Sequence, residues 1–554
     1  MKLAIALALV SGACAANSTA MKPPSRFADA VLVGGTVVTM DPLRPQADGL
    51  AIIDGHIDTV GSAADIRARI GPQTKVIELR GRSVVPGLVD AHCHLYGLGK
   101  ALEILDLRGL TSIQAIVERV TAAAATRPAS EWIEGRGWDQ NLWTEKEFPT
   151  GGALDRVANP VSLRRIDGHS LWANAAAMRA AGVTRETKDP HGGRIIRDGS
   201  GAPTGVFVDA AMAIIDQRIP EPDEAAIRRR LEAAERVAVA QGLTGVHEMG
   251  IEDDVVAVYR TLEASGALKL RVYALLTGPP HVGELATRRP DVDPTGTKLF
   301  VLGGVKLYAD GSLGSRSAAL LAPYGDDPKN DGIIITDEPA LVTAARAALA
   351  GGWQMAVHAI GDRANRNVLD AYREARVPPE RRFRIEHAQV VAPADIPRFA
   401  AQGVIASMQP THATSDMPWA EARVGGDRII GAYAWRSLVA SGAHVAFGSD
   451  FPVEEVPPLW GLWAVVSRQD RDGKPAGGWH PEQRLGLDEA IHAYTVEPAF
   501  AAFQEQHRGR IAPGFVADLT VFDRVLLADH LLDAKVAMTL VGGAVVYDGP
   551  ATGR

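Results

Sequence analysis

Cysteine is nearly absent from this sequence: Cys14 and Cys93 are the only two among 554 residues. A fold stapled by disulfides is therefore excluded, while the length supplies enough material for a large core plus appendages. A basic excess is missing as well. The chain carries 58 Lys+Arg against 66 Asp+Glu, a formal charge of −8. That balance argues against nucleic acid as a partner and against a polybasic membrane-binding face. Beyond the N-terminus no stretch reaches about 18 apolar residues without a charge, so no transmembrane helix is expected. Internal repeats and low-complexity runs are also lacking. With 46% hydrophobic and 22% charged residues, the composition excludes widespread disorder, collagen and coiled coil. Glycine and proline are plentiful, at 56 and 34 residues, as in a chain of many short strands and helices joined by tight turns.

The first twenty residues have the order of an export signal: Lys2, the apolar run Leu3–Val10, then small residues from Ser11 to Ala16. Ala13 and Ala15 match a cleavage site. Cys14 offers the alternative of a lipoprotein anchor, although Ser11 stands where such signals usually carry leucine. The expectation is an exported protein, periplasmic or lipid-anchored to a bacterial membrane. Residues 29–85 and 508–550 both consist of short Val/Ile-rich runs broken by glycine turns. Neither set is large enough for a stable sheet alone, so the two predict one composite β-sandwich built from both termini.

Between them, residues 86–507 alternate strand-like and helical patterns. Eight runs read as strands: SVVPGLVDAHCH, GLTGVHE, LRVYALL, LGGVKLYADG, WQMAVHAIG, FRIEHAQ, GVIASMQP and AHVAFGSD. Helices are expected at 224–242 and 339–351, each opened by an Asp and a Pro. Eight strand–helix units predict a (β/α)₈ TIM-type barrel. The gap from His94 to His247 far exceeds one crossover, which places an insertion at about 96–240, over the barrel mouth.

Chemistry-bearing residues recur at the strand ends. His92 and His94 stand two apart, so alternation aims both rings the same way and turns Cys93 into the apolar layer. Such a pair can chelate zinc or a similar ion, though two structural histidines would give the same pattern. Lys306 falls in an apolar strand, where an ammonium needs a partner. Carboxylation would make it an anionic bridge between two cations; ion pairing or snorkelling is the alternative. His358, His387 and Asp450 end three further strands, so the series occupies strands one, four, five, six and eight.

In order along residues 29–550, the segments VVPGLVDAHCHL, GRGWDQNLW, RRIDGHSLWANAAA, GGVKLYADGSLGSRSAAL, VHAIGDRANRNVLDAY, RIEHAQ, SMQPTHATSD, FGSDFPVE and GFVADLTVFD resemble the amidohydrolase superfamily. Within it, the sequence is similar to the YtcJ-like branch that includes N-substituted formamide deformylases. The resemblance implies His92 and His94 on one metal, His358 and His387 on a second, and carboxylated Lys306 between them. Asp450 would bind the first metal and handle protons. Zinc is the expected ion. Two such cations hold a bridging water and lower its pKa; Asp450 can take its proton and pass it to a departing nitrogen. Deaminases of this superfamily with one metal carry Glu three residues after the fifth-strand His. Here Ala359, Ile360 and Gly361 follow His358, which favours a binuclear hydrolase.

Other residues fit either a pocket or a core. His169 is a candidate catalytic group and His412 a substrate contact; His247 could line the pocket. Trp138, Trp172, Tyr308 and Trp419 could wall it. Asp310 and Arg316 could pair to anchor their loop, or Arg316 could meet a substrate carboxylate. The expected function is hydrolysis of an amide-type C–N bond in a small molecule. Ester or lactone hydrolysis at the same centre, or a non-catalytic exported binding protein, are the alternatives, and homo-oligomerisation is left open.

Overall fold

The computed structural model describes residues 27–165, 170–190 and 193–550. The signal expected over residues 1–20, with Cys14, lies outside the described residues, and so does His169.

Eight parallel strands form the centre, in spatial order Leu88–Cys93, Leu243–Ile251, Arg271–Thr277, Phe300–Tyr308, Gln354–Ala359, Arg384–His387, Ile405–Met408 and Val445–Phe447. Each expected strand is present. Nearly all their residues are buried, because helices cover the outside and side chains fill the inside; this is why they read as continuous apolar runs. The last strand returns to the first just beyond its end. The backbone N–H of Asp450 donates to the carbonyl of His92 at 2.7 Å, and Asp90 accepts from the Ser449 N–H and hydroxyl. These contacts bring the ends together as a TIM-type barrel.

The crossover helices begin where the sequence signals them. Asp223 caps Glu224–Ala240 through the Ala226 N–H, and Asp337 caps Glu338–Gly351 through Ala340, with Pro339 in the first turn. Gly352, at φ 83°, closes the second helix in the left-handed conformation that glycine adopts without strain.

The terminal pieces join in one mixed sheet of eight strands. Leu519–Phe522 pairs antiparallel with Ser83–Pro86 and is the joint between the two ends of the chain. Leu32, Leu50 and Val84 share one apolar cluster with Leu519 and Leu540. Arg271, at the start of the third barrel strand, reaches Asp518 through Nε and Nη2 at 2.6 and 2.9 Å and ties this sheet to the barrel.

The insertion carries its own six-stranded sheet, from Leu105–Asp106 to Pro203–Asp209. The flanking helices Leu95–Glu103 and Glu224–Ala240 pack on each other beside the barrel. Arg230 pairs with Glu103 at 2.7 Å, and Gly99 lies so close to the Arg230 carbonyl that any side chain there would collide with it. The inserted sheet is thus narrower than the span 96–240.

Candidate metal centre

The expected side chains converge at the C-terminal ends of the barrel strands. His92 and Cys93 separate as alternation requires: the His92 ring faces inward and is fully buried, while Cys93 joins the apolar layer as a free thiol. His94 follows at the mouth with its ring 30% exposed. Strict alternation would send Glu386 and His387 to opposite faces. His387 instead has φ 72° and Asp450 φ 64°, left-handed values that strain non-glycine residues and cluster at functional sites. The turn at His387 carries its ring to 4.8 Å from that of His92 and 4.5 Å from that of His358.

Asp450 lies at the focus. Its Oδ1 is 3.4 Å from His92 Nε2 and 3.1 Å from His94 Nε2, and its Oδ2 is 3.8 Å from His412 Nε2. Among the described residues, His92 Nε2, His412 Nε2 and Asp450 Oδ1 nevertheless have no hydrogen-bond partner: these atoms face one another without donor alignment. Donor atoms of His92, His387 and Asp450 all lie within 4.8 Å of one another. Buried polar atoms that converge while unsatisfied are what a cation resolves, and imidazole with carboxylate suits zinc. These residues fit a metal ion. His94 joins the group through Asp450, and His358 through its ring contact with His387.

A second layer fixes which nitrogens are free. His92 Nδ1 donates to Glu386 Oε2 at 2.5 Å, and His387 Nδ1 to Gln409 Oε1 at 2.7 Å. In the neutral rings this leaves the Nε2 lone pairs toward the centre, where a bound cation would meet them. Without a cation, burial is outweighed by the charges of Glu386 and Asp450, which raise the His92 pKa, so that its Nε2 can carry a proton toward Asp450. Gln409 is oriented by its amide donating to the Ser407 carbonyl. Glu386 is gripped by Arg384, whose guanidinium also donates to the Ala91 carbonyl and the Ser407 hydroxyl. His358 Nε2 stands 3.3 Å from the Gly311 carbonyl, which leaves its Nδ1 free.

The electrostatics follow from burial. Desolvation pushes Lys306 down to about 8, against the pull of Glu386 and Asp450. Its Nζ lies 4.4 Å from the ring centre of Tyr308. Desolvation and Lys306 push His358 down to about 3, and desolvation and His358 hold His387 well below the usual range. For Asp450, burial would raise the pKa, but the His92 and His94 rings outweigh it and hold the carboxyl well below its ordinary value. Burial pushes Asp90, which accepts from the His92 N–H, up to about 7.

Several expectations are corrected. Trp138 is not a pocket wall: it is fully buried in the insertion's core, its indole N–H donating to the Leu163 carbonyl and its ring beside Trp143, Phe148 and Trp172. Asp310 and Arg316 do not pair. Asp310 takes the backbone N–H groups of Ala319, Ile360 and Gly361, while Arg316 binds Asp326. His247 lies on the barrel floor, bonded to Arg384, rather than in the mouth. Tyr308 does stand at the centre, its ring 5.6 Å from that of His358, and His412 stacks on His387 at 5.9 Å. Trp419 lies under the Arg423 guanidinium and beside Gly314. Sequence reasoning missed Arg384, Glu386, Gln409 and Asp90. Arg384 and Glu386 share a two-residue spacing on a strand already marked by His387, and Asp90 precedes His92 by two; that spacing was the available signal.

The amidohydrolase family model matches residues 75–547. Protein LONG AFTER FAR-RED 3 of Arabidopsis thaliana is 35% identical, with 95% of this chain and 93% of that protein covered. The putative amidohydrolase YtcJ of Bacillus subtilis is 34% identical, covering 94% of this chain and 99% of its own. N-substituted formamide deformylase of Arthrobacter pascens is 27% identical, covering 95% and 99%. Among solved structures, an uncharacterized metal-dependent hydrolase from Pyrococcus furiosus superposes with a TM-score of 0.77 at 29% identity, over 90% of this chain and 99% of that one. With the matched segments on the strands that carry the converging ligands, the chain belongs to the amidohydrolase family, in its YtcJ-like branch.

Proposed function

We propose that this protein hydrolyses an amide-type C–N bond in a small molecule, using two divalent ions, zinc by preference, held at the barrel mouth. The observation that carries this reading is the convergence of unpartnered His92 Nε2 and Asp450 Oδ1 with His387 in one buried group. His92 and His94 would hold one ion with Asp450, and His358 and His387 the other. Lys306 would bridge them as a carbamate; burial favours that role, because a pKa of about 8 leaves a share of neutral amine at pH 7. When bound, the ions polarise the scissile carbonyl and lower the pKa of the attacking water. Asp450, ionised at neutral pH, takes the proton of that water and hands it to the departing nitrogen. Tyr308 and His412 flank the centre and would contact the substrate; His169 is a further candidate for binding the carbonyl oxygen. Similarity to a formamide deformylase supports the choice of C–N over ester chemistry. The N-terminal run supports export, with either cleavage or a lipid anchor at Cys14.

The test is elemental analysis of the pure protein, followed by assays on N-formyl, N-acyl and ester substrates with and without zinc. Two ions per chain and zinc-dependent amide turnover are expected. Full activity with a single ion would refute the binuclear centre. Ester turnover alone would move the protein to that chemistry, and no turnover on any panel member would return it to a binding role.

A further inference from the structure

Arg384 spends a third part of its guanidinium away from the metal centre. Its Nη1 lies 2.9 Å from His247 Nδ1. Arginine only donates, so Nδ1 accepts and the ring proton sits on Nε2. His247 is 2% exposed, and among the described residues its Nε2 has no hydrogen-bond partner. A cavity of about 40 Å³ opens here at the barrel floor, lined by His247, Thr244, Tyr273, Gln504, Arg508 and Asp518 among others. Gln504 is 4% exposed. Its amide nitrogen donates to the Asp293 carbonyl, which fixes the orientation, since a flipped amide would set oxygen against oxygen. Its Oε1 is left buried with no hydrogen-bond partner among the described residues. His247 and Gln504, each with a polar atom that lacks a partner among the described residues, thus line the same small chamber.

The walls also say what the chamber excludes. Arg271 is neutralised by Asp518 and Arg508 by Asp293, so no net charge is available to hold a free ion. Val89, Val246, Pro498, Ala499 and Ala502 supply apolar wall, while His247 and Gln504 bring the polar groups that a water needs. A space of this size takes roughly one to three waters, each of which needs two to four polar partners.

We propose that the floor chamber is an internal hydration site, in which ordered water accepts from His247 Nε2–H and donates to Gln504 Oε1. That water ends a hydrogen-bonded chain running from the floor through His247, Arg384 and Glu386 to His92. The inference is independent of the proposed reaction.

A high-resolution crystal structure of the wild-type protein tests it directly. Expected is density for at least one water within hydrogen-bond distance of both His247 Nε2 and Gln504 Oε1. A dry chamber, or a chloride or other ion in it, overturns the proposal. Nitrogen chemical shifts of labelled histidine give a second reading: the Nε2–H tautomer of His247 is required, and Nδ1–H refutes it. Gln504→Leu, which leaves the metal centre untouched, should lose one ordered water while turnover stays within about twofold; retention of the same water would show that Gln504 does not bind it.

Discussion

The two ends of the barrel treat their charged groups in opposite ways, leaving aside the uncharged His247 and Gln504 at the floor chamber. At the floor, the charges are paired: Arg271 grips Asp518 with two hydrogen bonds, Arg508 meets Asp293, and Arg382 holds Glu505. At the mouth, His92, Asp450 and His412 present atoms that have no hydrogen-bond partner among the described residues, although each lies within 4 Å of another. Unpaired buried polar groups cost stability unless something completes them. A chain that satisfies its charges at one end could satisfy them at the other, so the mouth is where a ligand does the completing.

The sharpest way to break this contrast is Asp450→Asn. The change should remove about 10² to 10⁴ from kcat, with little effect on KM and the melting temperature unchanged, measured at saturating zinc. Full recovery on adding zinc would confine Asp450 to coordination. Next in size, Arg271→Ala strands Asp518 in the floor and should cost about 3–5 kcal/mol by chemical denaturation, with kcat of the folded protein intact. A loss of kcat equal to that of Asp450→Asn would mean that the two ends are not separable.

The same pair has a pH signature. Burial would raise the Asp518 pKa, but Arg271 outweighs it and holds the carboxyl below its ordinary value. A lowered folded pKa contributes stability above the unfolded value, near 4, and loses it as pH falls through the folded value. The stability gap between wild type and Arg271→Ala should therefore be full at neutral pH and shrink below about pH 4 in denaturation series. The smallest effect expected is Trp138→Phe, which removes one buried hydrogen bond and some volume, about 1–2 kcal/mol in total. Its KM should match wild type; a raised KM would restore Trp138 to the pocket.

Much of this arrangement was legible in the sequence because it rests on short-range rules. The eight barrel strands announce themselves as apolar runs, and the period of two places His92, His94 and Cys93 on their proper faces. What was not legible depends on neighbours distant in sequence. Glu386 supports His92 from 294 residues away, and no local pattern names that pairing. His387 faces the centre only because its backbone turns left-handed, against alternation. Trp138 looked like a pocket residue because an aromatic in a family-like segment fits a wall and a core equally well; only the stack with Trp143 and the bond to Leu163 decide. The insertion's limits were blurred for a related reason: helices 95–103 and 224–240 continue the barrel's own pattern on either side of it.

The joint at Leu519–Phe522 sets a timetable. Ser83–Pro86 leaves the ribosome more than 400 residues before the strand that hydrogen-bonds to it. At about 5–20 residues per second, its edge waits roughly 20–90 s for its partner. Throughout that interval the N-terminal strands offer an open, Val-rich edge of the kind that recruits other chains. Successful biogenesis therefore rests on whatever shields residues 30–86 during synthesis, and a truncation that removes only the last forty residues should cost solubility before it costs any catalytic group.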